Sequence, residues 1–157
     1  MKSVKAKIVI EKPESLPKYQ TEGAACADVV ACVPRNIIDG VDLGDRVMMK
    51  RHTPISINTG MKVAIPNGYK LCIAARSGLA KKGLIVLNGV GQIDSDYRGE
   101  IAVLMMNCGP EILYINNGDR IAQCWIEPVY KINWEVVEKL DDTVRGSGGF
   151  GSTGVST

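Results

Sequence analysis

The chain has 157 residues, a formal net charge of +2, five cysteines and one histidine. One domain of that length buries a core without staples, and near-balanced charge with few aromatics argues against a basic, ring-studded nucleic-acid surface. An odd cysteine count, no Cys-x-x-Cys and His52 alone argue against a disulfide framework, a zinc site and a Ser–His or Cys–His nucleophile pair. Seventeen glycines favour a loop-rich all-β fold. The N-terminus carries no apolar signal core, and no run approaches the ~20 apolar residues of a membrane span. The expectation is a soluble protein of the cytoplasm or another reducing intracellular compartment, with a viral source left open, no nucleic acid and no membrane.

In chain order, residues 5–10 alternate, with Ala6, Ile8 and Ile10 on one face, and predict a first strand. Pro13 and Pro17 break the pattern. Residues 28–33 predict a buried strand that Pro34 closes. Short strands follow at 47–49, 55–58, 61–65 and 69–74, with Asn58-Thr59-Gly60 and Pro66-Asn67-Gly68 as turns. Cys72 and Cys124 sit in apolar runs and read as buried thiols. Residues 76–82 predict the one short helix, with Ser77 as cap and Gly83 as stop. Residues 84–87 and 101–106 are strands of a hairpin whose long loop spans 88–100. Strands at 111–115, 121–130 and 132–137 complete the pattern, with a turn at Asn116-Asn117-Gly118-Asp119 and Pro128 as a kink or edge marker. Residues 141–157 have no apolar period and predict a mobile Gly-rich arm. Many short strands without βαβ alternation predict an all-β jelly roll, sandwich or distorted barrel, with residues 1–140 as the body and 141–157 as the arm.

Four stretches carry chemistry, each beside a plainer reading. Arg76-Ser77-Gly78 opens the helix, where free N–H groups and a positive dipole end suit a phosphate; the plainer reading is a cap and a surface charge. In the 88–100 loop, Asp94 and Asp96 lie two apart and point the same way on extended backbone. A carboxylate there can deprotonate water for attack on phosphorus. Tyr97 offers a flat face to a sugar or base, and the Asn88 amide can both donate and accept. The plainer reading is turn chemistry. Gln123 can face a polar ligand, whereas Asp119 and Arg120 read first as an internal ion pair. The arm offers Arg145, Ser147, Ser152 and Thr153 among glycines, and Phe150, the chain's sole Phe, is placed to close over a flat ligand. The plainer reading is a disordered tail. Together these parts point to a nucleotide.

At these residues the chain resembles the homotrimeric dUTPase family. Ala75-Arg76-Ser77-Gly78-Leu79-Ala80 is similar to the family's second motif, and Asn88 to Glu100, through Gly91, Ile93, Asp94 and Tyr97, to its third. Gly118-Asp119-Arg120-Ile121-Ala122-Gln123 resembles the fourth, and Arg145 to Gly154 the fifth. The first motif departs: Ala25-Cys26-Ala27-Asp28-Val29 stands where the family has Ala-Gly-aromatic-Asp-Leu. The resemblance implies a jelly-roll trimer that cleaves dUTP to dUMP and pyrophosphate with Mg2+, at active sites between subunits. It implies that Asp94 activates the water and that Tyr97 packs on deoxyribose, leaving no room for a 2′-hydroxyl. It further implies that Asn88 reads uracil, that Arg76, Ser77, Gly78 and Gln123 hold phosphates, and that Asp28 hydrogen-bonds metal-bound water. The arm would cover the substrate through Arg145, Gly151, Ser152 and Thr153, with Phe150 over the base. Two other functions fit less well. A dCTP deaminase would need a glutamate proton shuttle in place of the Ile93-Asp94-Ser95-Asp96-Tyr97 run, and a non-catalytic nucleotide sensor would not need Asp94 and the arm intact.

Overall fold

A computed structural model describes residues 3–38, 41–150, 152 and 154. The arm residues Gly151 and Thr153 lie outside them. The described strands are β1 (Lys7–Ile10), β2 (Ala27–Val30), β3 (Asn36–Ile38), β4 (Val41–Gly44), β5 (Arg46–Met49), β6 (Pro54–Asn58) and β7 (Met61–Ala64), then β8 (Tyr69–Ala75), β9 (Leu84–Val86), β10 (Val90–Ile93), β11 (Ala102–Asn107), β12 (Leu113–Asn116) and β13 (Arg120–Pro128). One short helix, α1 (Ser77–Ala80), and a 3-10 turn at Pro13–Ser15 complete the elements. The architecture is the jelly roll expected from the sequence.

Among the described strands every pairing is antiparallel. Two sheets matter for the site: β10-β8-β13-β2 and β6-β11-β9. Alternation fixes their faces. In the four-stranded sheet Leu71, Ile73 and Ala75 of β8 and Ala122, Cys124 and Ile126 of β13 turn to the core. Lys70 and Ala74, with Gln123 and Glu127, occupy the opposite parity. Met49, Met61, Leu84, Met105 and Ile121 sit almost wholly out of solvent at the centre. All five cysteines are free thiols, and Cys72 and Cys124 are buried as expected.

Several expectations are corrected. Residues 88–100 are not a plain hairpin loop. β9 and β11 do pair, but Val90–Ile93 between them forms β10, which crosses to the other sheet and pairs with β8 in the register Val90↔Ala74 to Ile93↔Leu71. The chain therefore carries this stretch from one sheet to the other. The strand expected at 28–33 stops at Val30, because the next three amides are taken by loops: Ala31 N donates to Asp119 O, Cys32 N to Asn58 O and Val33 N to Asn117 Oδ1. Residues 132–137 form no strand and lie exposed, since no strand of the described chain pairs with them. The β3–β4 hairpin was not anticipated. β13 ends at Pro128, which lacks the amide to continue a ladder.

Candidate active site

The site is built outward from Asp28. β2 places Asp28 opposite Gln123 of β13, and Gln123 opposite Ala74 of β8. Its carboxylate accepts from two arginines: Arg76 Nε at 2.9 Å on Oδ1 and Arg120 Nη1 at 3.1 Å on Oδ2. Arg76 also donates from Nη1 to the Arg120 carbonyl at 3.0 Å, and Gln123 Nε2 donates to Ala75 O at 3.2 Å. The Asp28 side chain is only 11% exposed, against 27% for Arg76 and 47% for Arg120. The acid is thus enclosed, and unused donor edges of the two guanidiniums reach solvent.

α1 begins at this point. Arg76 is its N-cap residue with extended backbone, and no side chain caps the helix. Ser77 therefore is not the cap expected from the sequence but the first helical residue. The helix's own bonds begin with Leu79 N and Ala80 N, both donating to Arg76 O. The amides of Ser77 and Gly78 belong to the first turn that intrahelical bonding leaves unused. Asp28, Arg76, Ser77, Gly78, Arg120 and Gln123 line one cleft of about 330 Å³. Gln20, Ala24 and Cys26 close its rim. Such a cleft is suited to a polyanion, with two guanidinium groups and free amides facing one opening.

Arg120 and Cys26 were missed as site residues. Arg120 was expected to pair with Asp119, but the Asp119 carboxylate instead accepts from the backbone and side chain of Asn116 at 2.7 and 3.1 Å. The signal for Cys26 is its place two residues before Asp28, the spacing that puts side chains on one face of an extended chain. Behind the cleft, burial pushes the Cys124 thiol up to about 12, with Cys26 and Asp28 adding to the shift.

The remaining predicted residues lie elsewhere. Asp94 follows β10 at the other end of β8, beside Lys70. It lines a second, larger cleft with Tyr69, Lys70, Gln92, Ser95, Asp96 and the segment after β13. The two clefts share no lining residue. Asp94 and Asp96 are not on extended backbone as expected: a turn closed by Tyr97 N to Asp94 O at 3.2 Å separates them. Asn88 is exposed in the turn before β10. The Tyr97 hydroxyl donates to Glu100 O at 3.0 Å and its ring stays partly exposed. In the arm, Arg145 Nε donates to Gly148 O at 2.8 Å, Ser152 N donates to Gly149 O at 3.0 Å, and Phe150 is fully exposed. Neither Arg145 nor Phe150 lines the phosphate-type cleft.

Fold and cleft define an all-β jelly roll with an arginine-lined cleft of a kind suited to a polyanion. A family model described as dUTPase matches residues 12–154. The chain is 48% identical over 142 residues to the deoxyuridine 5'-triphosphate nucleotidohydrolase of Desulfotalea psychrophila, covering 90% of this chain and 88% of the relative. In fold it is similar to a mutant dUTPase of Staphylococcus bacteriophage 80alpha solved with dUpNHpp, with a TM-score of 0.77 at 22% identity, covering 98% of this chain and 100% of that one. It is similar too to a mutant dUTPase of phage phi11 of S. aureus, a structure that details the coordination of a structural Mg(II) ion, with a TM-score of 0.71 at 19% identity, over 88% of this chain and 100% of that one. The chain belongs to the dUTPase family.

Proposed function

We propose that this chain hydrolyses dUTP to dUMP and pyrophosphate, as a homotrimer whose active sites form between subunits. The observation that carries the reading is the pairing of Arg76 and Arg120 on the enclosed Asp28, beside the unused amides of α1. A triphosphate fits that cleft: the guanidiniums and the Ser77 and Gly78 amides hold its oxygens, and Gln123 adds a neutral contact. Asp94 orients a water and takes its proton as it attacks the α-phosphorus in line, and pyrophosphate leaves. Asn88 reads the uracil edge and Tyr97 lies against deoxyribose. The arm, residues 141–157, closes over the substrate through Arg145, Gly151, Ser152 and Thr153, with Phe150 on the base.

Interfacial sites are supported by a distance. Asp94 sits level with Lys70, six residues along β8 from Arg76, and extended chain at about 3.3 Å per residue separates them by roughly 20 Å. A single chain does not present its general base to its own phosphate grip. A second support is the exposed apolar run Tyr130, Ile132, Trp134 and Val136, with Trp134 78% exposed, as expected of a surface that another subunit covers.

Among the described residues no cluster of three or more His, Cys, Asp or Glu could hold a metal. Asp28 is the one acid lining the phosphate cleft, and both its oxygens already accept from guanidinium. A cage made by the protein does not fit. The donor set fits a hydrated Mg2+ instead, which Asp28 would help to hold by accepting, with its remaining lone pairs, from a metal-bound water. Bound there, the ion would neutralise charge on the triphosphate.

No described helix is long and apolar enough to cross a membrane. Free thiols at all five cysteines accord with a reducing compartment. The deciding experiment is pyrophosphate release from dUTP, dTTP, dCTP and UTP with Mg2+. Release from dUTP alone is expected. Ammonia from dCTP would instead indicate a deaminase, and background turnover of all four would indicate a nucleotide-binding protein without catalysis.

A further inference from the structure

The loop between β10 and β11 is braced beyond what a connector needs. At its far end Glu100 is stapled to the β6–β7 turn. Gly60 N donates to Glu100 Oε1 at 3.0 Å and Asn58 Nδ2 donates to Oε2 at 3.3 Å. The next residue is fixed to the same turn: Thr59 donates from N and Oγ1 to Ile101 O at 3.1 and 2.6 Å, and Ile101 N donates to Met61 O at 2.9 Å. At its near end Ile93 is held in the sheet against Leu71. Between these anchors Arg98 Nη1 donates to the carbonyls of Ser95 and Tyr97, both at 2.7 Å.

The Tyr97 ring hangs on this frame by two contacts. Its hydroxyl donates to the Glu100 carbonyl at 3.0 Å. Its edge lies over Gly99, so that a Cβ there would stand 2.2 Å from the hydroxyl oxygen and 2.5 Å from Cζ. No residue with a side chain fits at position 99 while the ring keeps this place.

We infer that Gly99 and Glu100 are positioning residues: they fix the plane of the Tyr97 ring and through it the choice of deoxyribose over ribose. The inference rests on the proposed dUTP hydrolysis and adds to it the residues that set sugar selectivity. A ring that swings by an ångström opens or closes the space a 2′-hydroxyl would need. Selection by exclusion depends on such a wall holding still.

The test compares kcat/KM for dUTP and UTP, with Mg2+, in the parent protein and in Gly99→Ala, Glu100→Ala and Glu100→Gln. The ratio between the two substrates is the readout, because general loss of stability lowers both together and leaves it unchanged. In Gly99→Ala the dUTP preference is expected to fall at least tenfold. Glu100→Ala, which loses both side-chain anchors, should shift it in the same direction, and Glu100→Gln, which keeps an acceptor for Gly60 N, should recover much of the difference. A crystal structure of Gly99→Ala, or of Glu100→Ala should the first variant not fold, reads the ring directly. A Tyr97 hydroxyl still within hydrogen-bond distance of the Glu100 carbonyl overturns the inference whatever the substrate proves to be. So does a parental dUTP-to-UTP ratio in both alanine variants. Failure of the parent to turn over dUTP, with the ring displaced in the variant, would instead count against the proposed activity and leave the positioning step supported.

Discussion

Asp94 and Asp28 are both acids of the proposed site, and their surroundings give them different work. Asp28 is enclosed and already accepts from two guanidiniums, so it is committed to holding Arg76 and Arg120 in place. Asp94 is exposed at the end of β10, where a water can reach it. Replacing Asp94 with Asn keeps the shape and removes the proposed base. The dUTP dissociation constant should stay within a few-fold, while kcat falls by about 10²–10⁴, the usual contribution of a positioned base. Turnover near the parental rate would remove Asp94 from that role. Cys124 gives a prediction in pH. Its thiol titrates near 9.0 when unfolded and is pushed up to about 12 in the fold, chiefly by burial. Because the folded pKa is raised, the stability contribution is full below pH 9 and is lost as pH rises towards 12. Urea midpoints measured across that window should fall with pH, and the fall should be shallower in Cys124→Ala. At this scale the sequence was informative about which residues, and less so about their partners. Arg76 and Gln123 stood out from their own stretches, and the resemblance to the family's motifs added Asp28. Neither could show that Arg120 passes over its neighbour Asp119 to reach an acid 92 positions away, because side-chain pairing across strands depends on register.

At the scale of elements, β10 and the end of α1 do most to position the site. β10 was hidden in the sequence because its four residues include Gly91 and Gln92, so it lacks the apolar run that marks the strands on either side. The expected strand at 132–137 failed for the opposite reason: its alternation is clear, but alternation identifies a strand-former and not the partner it needs. The helix expected over 76–82 with Gly83 as its stop ends earlier, at Ala80 with Lys81 as its C-cap, and a turn carries the chain on to Gly83, where the constraint is backbone contact and not helix termination. Gly83 has φ +86, and a Cβ on it would stand 2.4 Å from Gly109 N and 2.5 Å from Gly109 Cα. Cys108 N also donates to Gly83 O at 2.8 Å, so the turn after α1 is locked backbone to backbone onto the 107–109 loop. Gly83→Ala combines a left-handed conformation with a backbone clash and should cost about 2 kcal/mol or more. A domain of this size would then melt about 4–8 °C lower by calorimetry. The arm makes the contrasting prediction. Residues 141–147 are exposed and contribute nothing to the buried core. Deleting 141–157 should leave the melting temperature within a few degrees and sharply reduce kcat on dUTP. Unchanged turnover in the truncated protein would make the segment a tail and nothing more.

At the scale of the whole molecule, the question is why a chain would carry its proposed base and its proposed phosphate grip at opposite ends of one strand. The four-stranded sheet is a rigid ruler: β8 pairs with β13 over seven consecutive residues, from Ala75↔Ala122 to Tyr69↔Pro128. No loop movement carries Asp94 along it to Arg76, because β10 is itself laddered onto β8 as far as Ile93. In the proposed homotrimer association would resolve the separation, with one protomer lending Asp94 and another lending Arg76 and Asp28, and cyclic symmetry would repeat the same composite site at every interface. This arrangement can be tested without a structure of the assembly. Asp94→Asn and Arg76→Ala should each be nearly inactive alone. Unfolded together in equal amounts and refolded, they should regain activity, because some interfaces receive Asp94 from the Arg76→Ala chain and Arg76 from the Asp94→Asn chain. Random mixing makes about one interface in four complete, so recovered turnover should approach that share of the parental value. It should also depend on co-refolding, with simple mixing of the two folded variants recovering less. If each site instead drew Asp94 and Arg76 from the same chain, every site would carry one defect or the other, and the mixture would be no more active than the variants apart.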